Sequence, residues 1–93
     1  EPIRIGEALD ELFKSMPTIA RKIAEAKIPD RWPLLVGSVI ASYTTRMEVK
    51  NGRLFVYISS SVARNEVFMR RAVLKEEINR LSGLEVISTI IVK

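Results

Sequence analysis

RMEVKNGRLFVYISSS, from Arg46 to Ser61, decides how this chain folds. Asn51-Gly52 lies between two alternating apolar runs, and both residue types tolerate the positive φ angles of a tight type I′ turn, so the dipeptide predicts a hairpin. A two-residue turn sets the register. Lys50 faces Arg53, Val49 faces Leu54, Glu48 faces Phe55, Met47 faces Val56 and Arg46 faces Tyr57. Side chains alternate across a strand. One face therefore carries Thr45, Met47, Val49, Leu54, Val56 and Ile58, which is a core. The other carries Arg46, Glu48, Lys50, Arg53, Phe55 and Tyr57. That face is mainly basic, with two aromatics, and suits an anionic polymer with stackable bases.

Working outward, the hairpin sits in a chain of 93 residues, enough for one small domain and one core. Hydrophobic residues make up 47%, too many for disorder. The longest uncharged stretch, Trp32 to Thr45, contains Gly, Ser, Pro and Thr and is too short to span a membrane. No secretory signal is visible. The chain has no Cys and no His, so disulfides, the usual zinc sites, Ser-His and Cys-His nucleophile pairs and histidine acid–base chemistry are all excluded. A cytoplasmic setting is compatible with this composition, and no metal or cofactor is expected. The net charge is +4, and it is uneven. Residues 1–30 hold five basic and six acidic side chains, whereas residues 31–93 hold ten and five. The positive charge belongs to the hairpin and the segments beyond it, which suggests an anionic partner, although modest basicity also serves solubility.

Before the hairpin, Ile5, Leu9, Leu12, Phe13 and Met16 repeat with helical spacing and predict a first helix ending at Pro17. A second helix comes next, with Ile19, Ala20, Ile23, Ala24 and Ala26 on its apolar side. Pro29 is expected to end it. Asp30 then caps a third helix with Pro33 in its first turn and an apolar stripe of Trp32, Leu35, Val36, Val39, Ile40 and Tyr43. Gly37 falls inside that helix, where it costs about 1 kcal/mol relative to Ala, and close approach of another backbone is the expected reason.

After the hairpin, Ser59-Ser60-Ser61 offers an N-cap for one long fourth helix that runs to about Leu81 and stops at Gly83. Its buried stripe is Val67, Leu74, Ile78 and Leu81. Val86 to Val92 reads as a strand, apolar on both faces and hence well covered or central. The predicted order is α-α-α-β-β-α-β in one domain, residues 1–93. This is an α+β fold with a three-stranded mixed sheet and helices packed on one face.

Three features could carry function. On the hairpin, Phe55 and Tyr57 could stack bases while Arg46, Lys50 and Arg53 neutralise phosphates; alternatively the aromatics pack under the N-terminal helices. On the fourth helix, Arg64, Phe68, Arg71 and Lys75 share one face by their spacing. The cations could extend a basic track and Phe68 could dock on a partner, or Phe68 could finish the core edge among solvated cations. The serine triplet could receive a phosphate at a helix N-terminus or serve as a plain cap. Glu7 and Glu11 read as a solvated helix face, and there is no catalytic carboxylate dyad.

IPDRWPLLVGSVIASYT (Ile28 to Thr44), NGRLFVYISSSVARNE (Asn51 to Glu66) and INRLSG (Ile78 to Gly83), followed by a hydrophobic strand, form an ordered set. With Trp32, Val36, Gly37, Gly52, Leu54, Val56, Ser59 and Ser60 at its signature positions, the chain resembles the DciA family of bacterial replicative-helicase operators or loaders. Many relatives have an aromatic residue where this chain has Val62. The resemblance implies a KH-like domain, binding to single-stranded or forked DNA (RNA is an alternative), and contact with a DnaB-type helicase. The four glycines stand too far apart for the GxxG loop of standard KH domains, so the resemblance does not imply KH-style clamping. Trp32 and Gly37 read as structural. The function expected is a non-enzymatic, nucleic-acid-binding adaptor in DNA replication, without a P-loop of its own. The alternative is a protein-interaction module with no direct nucleic-acid contact.

Overall fold

The computed structural model describes residues 17–93. The expected first helix, Ile5 to Met16, lies outside the described residues. Two helices come first, α1 (Pro17–Val36) and α2 (Ser38–Tyr43), followed by strands β1 (Thr44–Lys50) and β2 (Arg53–Ile58). Helices α3 (Ser61–Met69) and α4 (Arg71–Ser82) and strand β3 (Thr89–Val92) complete the order. The sheet is three-stranded and mixed, in the order β1-β2-β3. β1 and β2 are antiparallel, while β2 and β3 run parallel across the intervening helices.

The hairpin forms as its sequence dictates. Asn51 and Gly52 both take positive φ, 52° and 77°, and the pairs Lys50–Arg53, Val49–Leu54, Glu48–Phe55, Met47–Val56 and Arg46–Tyr57 are all in place. A bulge between Thr44 and Arg46 leaves Thr45 out of the pairing, so Thr45 is exposed instead of joining the core face. Leu54, Val56 and Ile58 are buried beneath Ala24, Ile28, Trp32 and Val36 of α1, Ala63 and Val67 of α3, and Leu74 and Ile78 of α4. These helices all lie on that one face.

The helices divide differently from expectation. α1 passes straight through Pro29 and Pro33. Each interior proline costs about 3 kcal/mol or more. Against this, α1 buries Ala20, Ala24, Ile28, Trp32 and Val36 in an unbroken four-residue repeat, and each large apolar side chain removed from water contributes about 1.5–3 kcal/mol. Both prolines lie on the exposed side, where water can satisfy the carbonyls they leave free. The break comes at Gly37 instead, with φ 93° and ψ 160°. A Cβ there would meet nothing within 4 Å. Backbone conformation, not close approach, therefore requires the glycine. Beyond the break Val39 and Tyr43 are exposed, so the expected third stripe survives only around Trp32, Leu35, Val36 and Ile40. The Trp32 indole N–H donates to Thr44 Oγ1 at 3.0 Å, which ties α1 to the start of β1.

The long fourth helix is likewise two. Ser60 caps α3 as expected, its hydroxyl accepting from the Ala63 N–H, but Arg70, at φ −100° and ψ 11°, separates α3 from α4. From that junction the Arg70 guanidinium donates to the Leu35 carbonyl at 3.2 Å and serves the end of α1. Gly83 ends α4 in the left-handed conformation as expected. Val67, Leu74 and Ile78 are buried, whereas Leu81 is partly exposed.

The last strand is shorter than expected and, among the described strands, lies at an edge rather than in the centre. Val86 and Ile87 are buried in the approach to β3, held by a side chain that stands in for a partner strand. Asn79 Oδ1 accepts from the N–H groups of Val86 (2.9 Å) and Ile87 (3.1 Å), while its amide donates to Ile87 O at 2.9 Å.

Candidate nucleic-acid interface

Alternation along the three strands lays out the face turned away from the helices. Arg46 stands beside Tyr57, Glu48 beside Phe55, and Lys50 beside Arg53. The parallel register continues the rows onto β3, with Arg53 opposite Thr89 and Phe55 opposite Ile91. Lys93 extends the ladder, donating to Val56 O and accepting from the Ile58 N–H, which brings its side chain to the Tyr57 row. The face therefore reads Arg46–Tyr57–Lys93, then Glu48–Phe55–Ile91, then Lys50–Arg53–Thr89. Neighbouring strands are about 4.8 Å apart, and same-face residues along a strand are about 6.7 Å apart. Two basic rows thus flank a row of one acidic, one aromatic and one apolar side chain on one face of the sheet. Lys93 is a member that the hairpin pattern could not supply; the alternation Thr89–Ile91–Lys93 is the signal that finds it.

The electrostatics differ from row to row. The Arg46 guanidinium lies 5.5 Å from the Tyr57 ring centroid and 3.2 Å from the Glu48 carboxylate. Both contacts are largely solvated, and each is worth about 0–1 kcal/mol. They aim Arg46 without consuming it. Lys50 and Arg53 are exposed like charges directly opposite each other, with no carboxylate paired to either among the described residues. Such a pair is mutually repulsive, and an anion bridging it would relieve the repulsion. Phe55 and Tyr57 are half-buried. The helices α1, α3 and α4 bury their side chains on the opposite face of the sheet. The first expected helix, the other candidate cover for these rings, falls outside the described residues.

The helical candidates are not on this platform. Arg64 is half-buried and donates to Ile58 O at 2.8 Å, binding α3 to the end of β2. Arg71 lies 3.7 Å above the Phe68 ring and donates from Nε to Phe68 O at 2.9 Å. Lys75 sits 3.6 Å from the Glu76 carboxylate. Phe68, Arg71 and Lys75 instead line a groove of ≈ 320 Å³ with Met69, Ala72, Ser88, Thr89 and Ile90, between the α3–α4 junction and β3. On α4, Arg80 is held by Glu77, whose hydrogen bond and charge raise the pKa of Arg80 above its ordinary value.

The chain matches the family model described as Dna[CI] antecedent, DciA, over residues 4–92. This protein belongs to the DciA family. The match spans the groove and all of the basic platform except Lys93. The DciA family is linked to DNA replication and helicase loading and is associated with the replicative helicase DnaB. No curated protein and no solved structure matches the chain. Among the described residues no helix is long and apolar enough to cross a membrane.

Proposed function

We propose that this DciA-family domain is a non-enzymatic adaptor that binds single-stranded or forked DNA on the sheet face turned away from the described helices and so assists a DnaB-type helicase. The observation that carries the reading is the pair of basic rows, Arg46 with Lys93 around Tyr57 and Lys50 with Arg53, on either side of the row that holds Phe55. Phosphates would neutralise the cations, releasing counterions, and bases would stack on the rings at about 1–3 kcal/mol per base. Arg64, bound to Ile58 O, and Arg71 and Lys75, which line the groove beside β3, lie off these rows and are left out of the track.

Fluorescence anisotropy of a labelled single-stranded oligonucleotide, titrated at several salt concentrations, tests this. With about 0.7 counterions released per phosphate, four cations give a log–log slope of about −3. Arg46→Glu with Arg53→Glu should abolish binding in a folded protein. Unchanged affinity in that variant would remove the hairpin from the site.

A second reading, a protein-interaction module without nucleic-acid contact, is favoured by Glu48 in the middle row and by the partial burial of Phe55 and Tyr57. Absence of oligonucleotide binding at low salt, with retained binding to the helicase, would select it.

A further inference from the structure

The groove beside β3 has a property the open face lacks: one wall is an unpaired strand edge. β3 pairs only with β2 among the described strands. In a parallel ladder a strand turns alternate residues toward each neighbour. Lys93 bonds to β2 through both its N–H and its carbonyl, so Ile91 does the same, and Ile90 and Val92 direct their backbone groups to the outer edge. Facing that edge are Phe68, 49% exposed, and Met69, 75% exposed, with Arg71 and Lys75 one turn further along. None of the groove-lining residues is acidic. The Glu76 carboxylate that meets Lys75 belongs to an exposed pair worth about 0–1 kcal/mol, which a ligand carboxylate can replace.

We infer that this groove takes an extended acidic segment of a partner protein, added as a fourth strand alongside β3. The edge offers N–H donors and carbonyl acceptors in alternation, and only another peptide backbone satisfies both. A nucleic-acid backbone brings acceptors but no donors for the carbonyls. The side chains set the composition: an apolar residue of the segment lies on Phe68 and Met69, and its acidic neighbours meet Arg71 and Lys75. The segment occupies a different surface from the basic platform, so the domain can hold a protein strand and DNA together. The inference goes beyond the DNA-adaptor reading and does not depend on it.

The test uses the isotope-labelled chain and a short fluorescein-labelled peptide alternating valine and glutamate, with lysine replacing glutamate in the control. The acidic peptide should shift the amide resonances of Ile90 and Val92, slow their hydrogen exchange and leave Arg46 and Tyr57 unmoved. Arg71→Glu should weaken it roughly tenfold or more, since a desolvated attraction becomes a repulsion. Val92→Pro removes an outward N–H that β2 does not use, a substitution edge strands tolerate, and should also abolish binding. Should that variant misfold, Arg71→Glu and Lys75→Glu still decide. The inference is overturned by unmoved Ile90 and Val92 at saturating peptide, or by equal binding of the lysine peptide. It is also overturned by an oligonucleotide that shifts those same amides, or by β3 shifts that grow with protein concentration alone, which would assign the edge to a second copy. Oligonucleotide binding at the hairpin with no peptide at β3 would refute the inference and leave the adaptor reading standing.

Discussion

The hairpin platform and the β3 groove each pair an arginine with an aromatic ring, yet the two pairs do different things. Arg46 reaches across a ladder to Tyr57, 5.5 Å from the ring centroid. Both side chains project from the sheet, so the guanidinium keeps most of its donors for a ligand. Arg71 lies 3.7 Å over Phe68 and also bonds that residue's own carbonyl. There the cation closes a helix junction and forms one wall of a groove. A strand pair presents its charges in regular rows on one face, whereas a helix break folds them against their neighbours. The same residue types therefore favour a polymer lying across one surface and a segment inserted into the other.

The largest expected effect removes what the two regions share. Leu54 is 0% exposed beneath the platform and belongs to the core that also holds Leu74 and Ile90. Leu54→Ala should lose about 2–5 kcal/mol by lost burial and cavity formation. Urea denaturation reads the loss. Oligonucleotide and peptide binding should then fail at the same denaturant concentration, because both surfaces rest on one cooperative core. Separate failure would show that platform and groove are independent units.

Asn79→Ala separates them. It strips the side chain that satisfies the backbone of Val86 and Ile87 just before β3. Leaving those buried groups unmatched costs about 1–3 kcal/mol. Hydrogen exchange should speed up at Val86 and Ile87, and the groove should lose peptide, while the oligonucleotide salt slope falls by no more than the share of Lys93, about 0.7, because Arg46, Lys50 and Arg53 stay in place on the hairpin. A parallel loss on both surfaces would tie β3 to the platform more closely than the comparison holds.

The legibility of the sequence divides in the same way. The hairpin is legible residue by residue because a two-residue turn and a period of two leave no freedom in register. Only the bulge at Thr45 escapes. The helical regions are less legible because local breakers compete with burial. Pro29 and Pro33 look like stops, but the stripe Ala20–Ala24–Ile28–Trp32–Val36 outweighs them. Arg70 carries no breaker signal at all, and its junction depends on the Leu35 carbonyl, far away in sequence. Hence Arg64, Phe68, Arg71 and Lys75 do lie on helix or at its junction, but not as one face of a single helix. The edge position of β3 is hidden for a similar reason. Its apolar run suggests a strand that is well covered or central, whereas Asn79 supplies the partners that Val86 and Ile87 need.

The smallest effects sharpen the comparison most, because they ask which cations are free. Lys93 is exposed and joins the Tyr57 row, while Arg64 is half-buried with its guanidinium on Ile58 O. Lys93→Ala should leave stability within about 0.5 kcal/mol, as for an ordinary surface substitution. It should also reduce the oligonucleotide salt slope by about 0.7, the share of one phosphate on a single strand. Arg64→Ala should do the reverse: it loses a charged hydrogen bond at the end of β2, worth about 1.5–3 kcal/mol, and leaves the slope alone. Charge count falls by the same amount in both variants, so a domain that bound DNA only through its net charge would show equal slopes. A difference of slope without a matching difference of stability would place the phosphates on the platform and leave Arg64 to the fold.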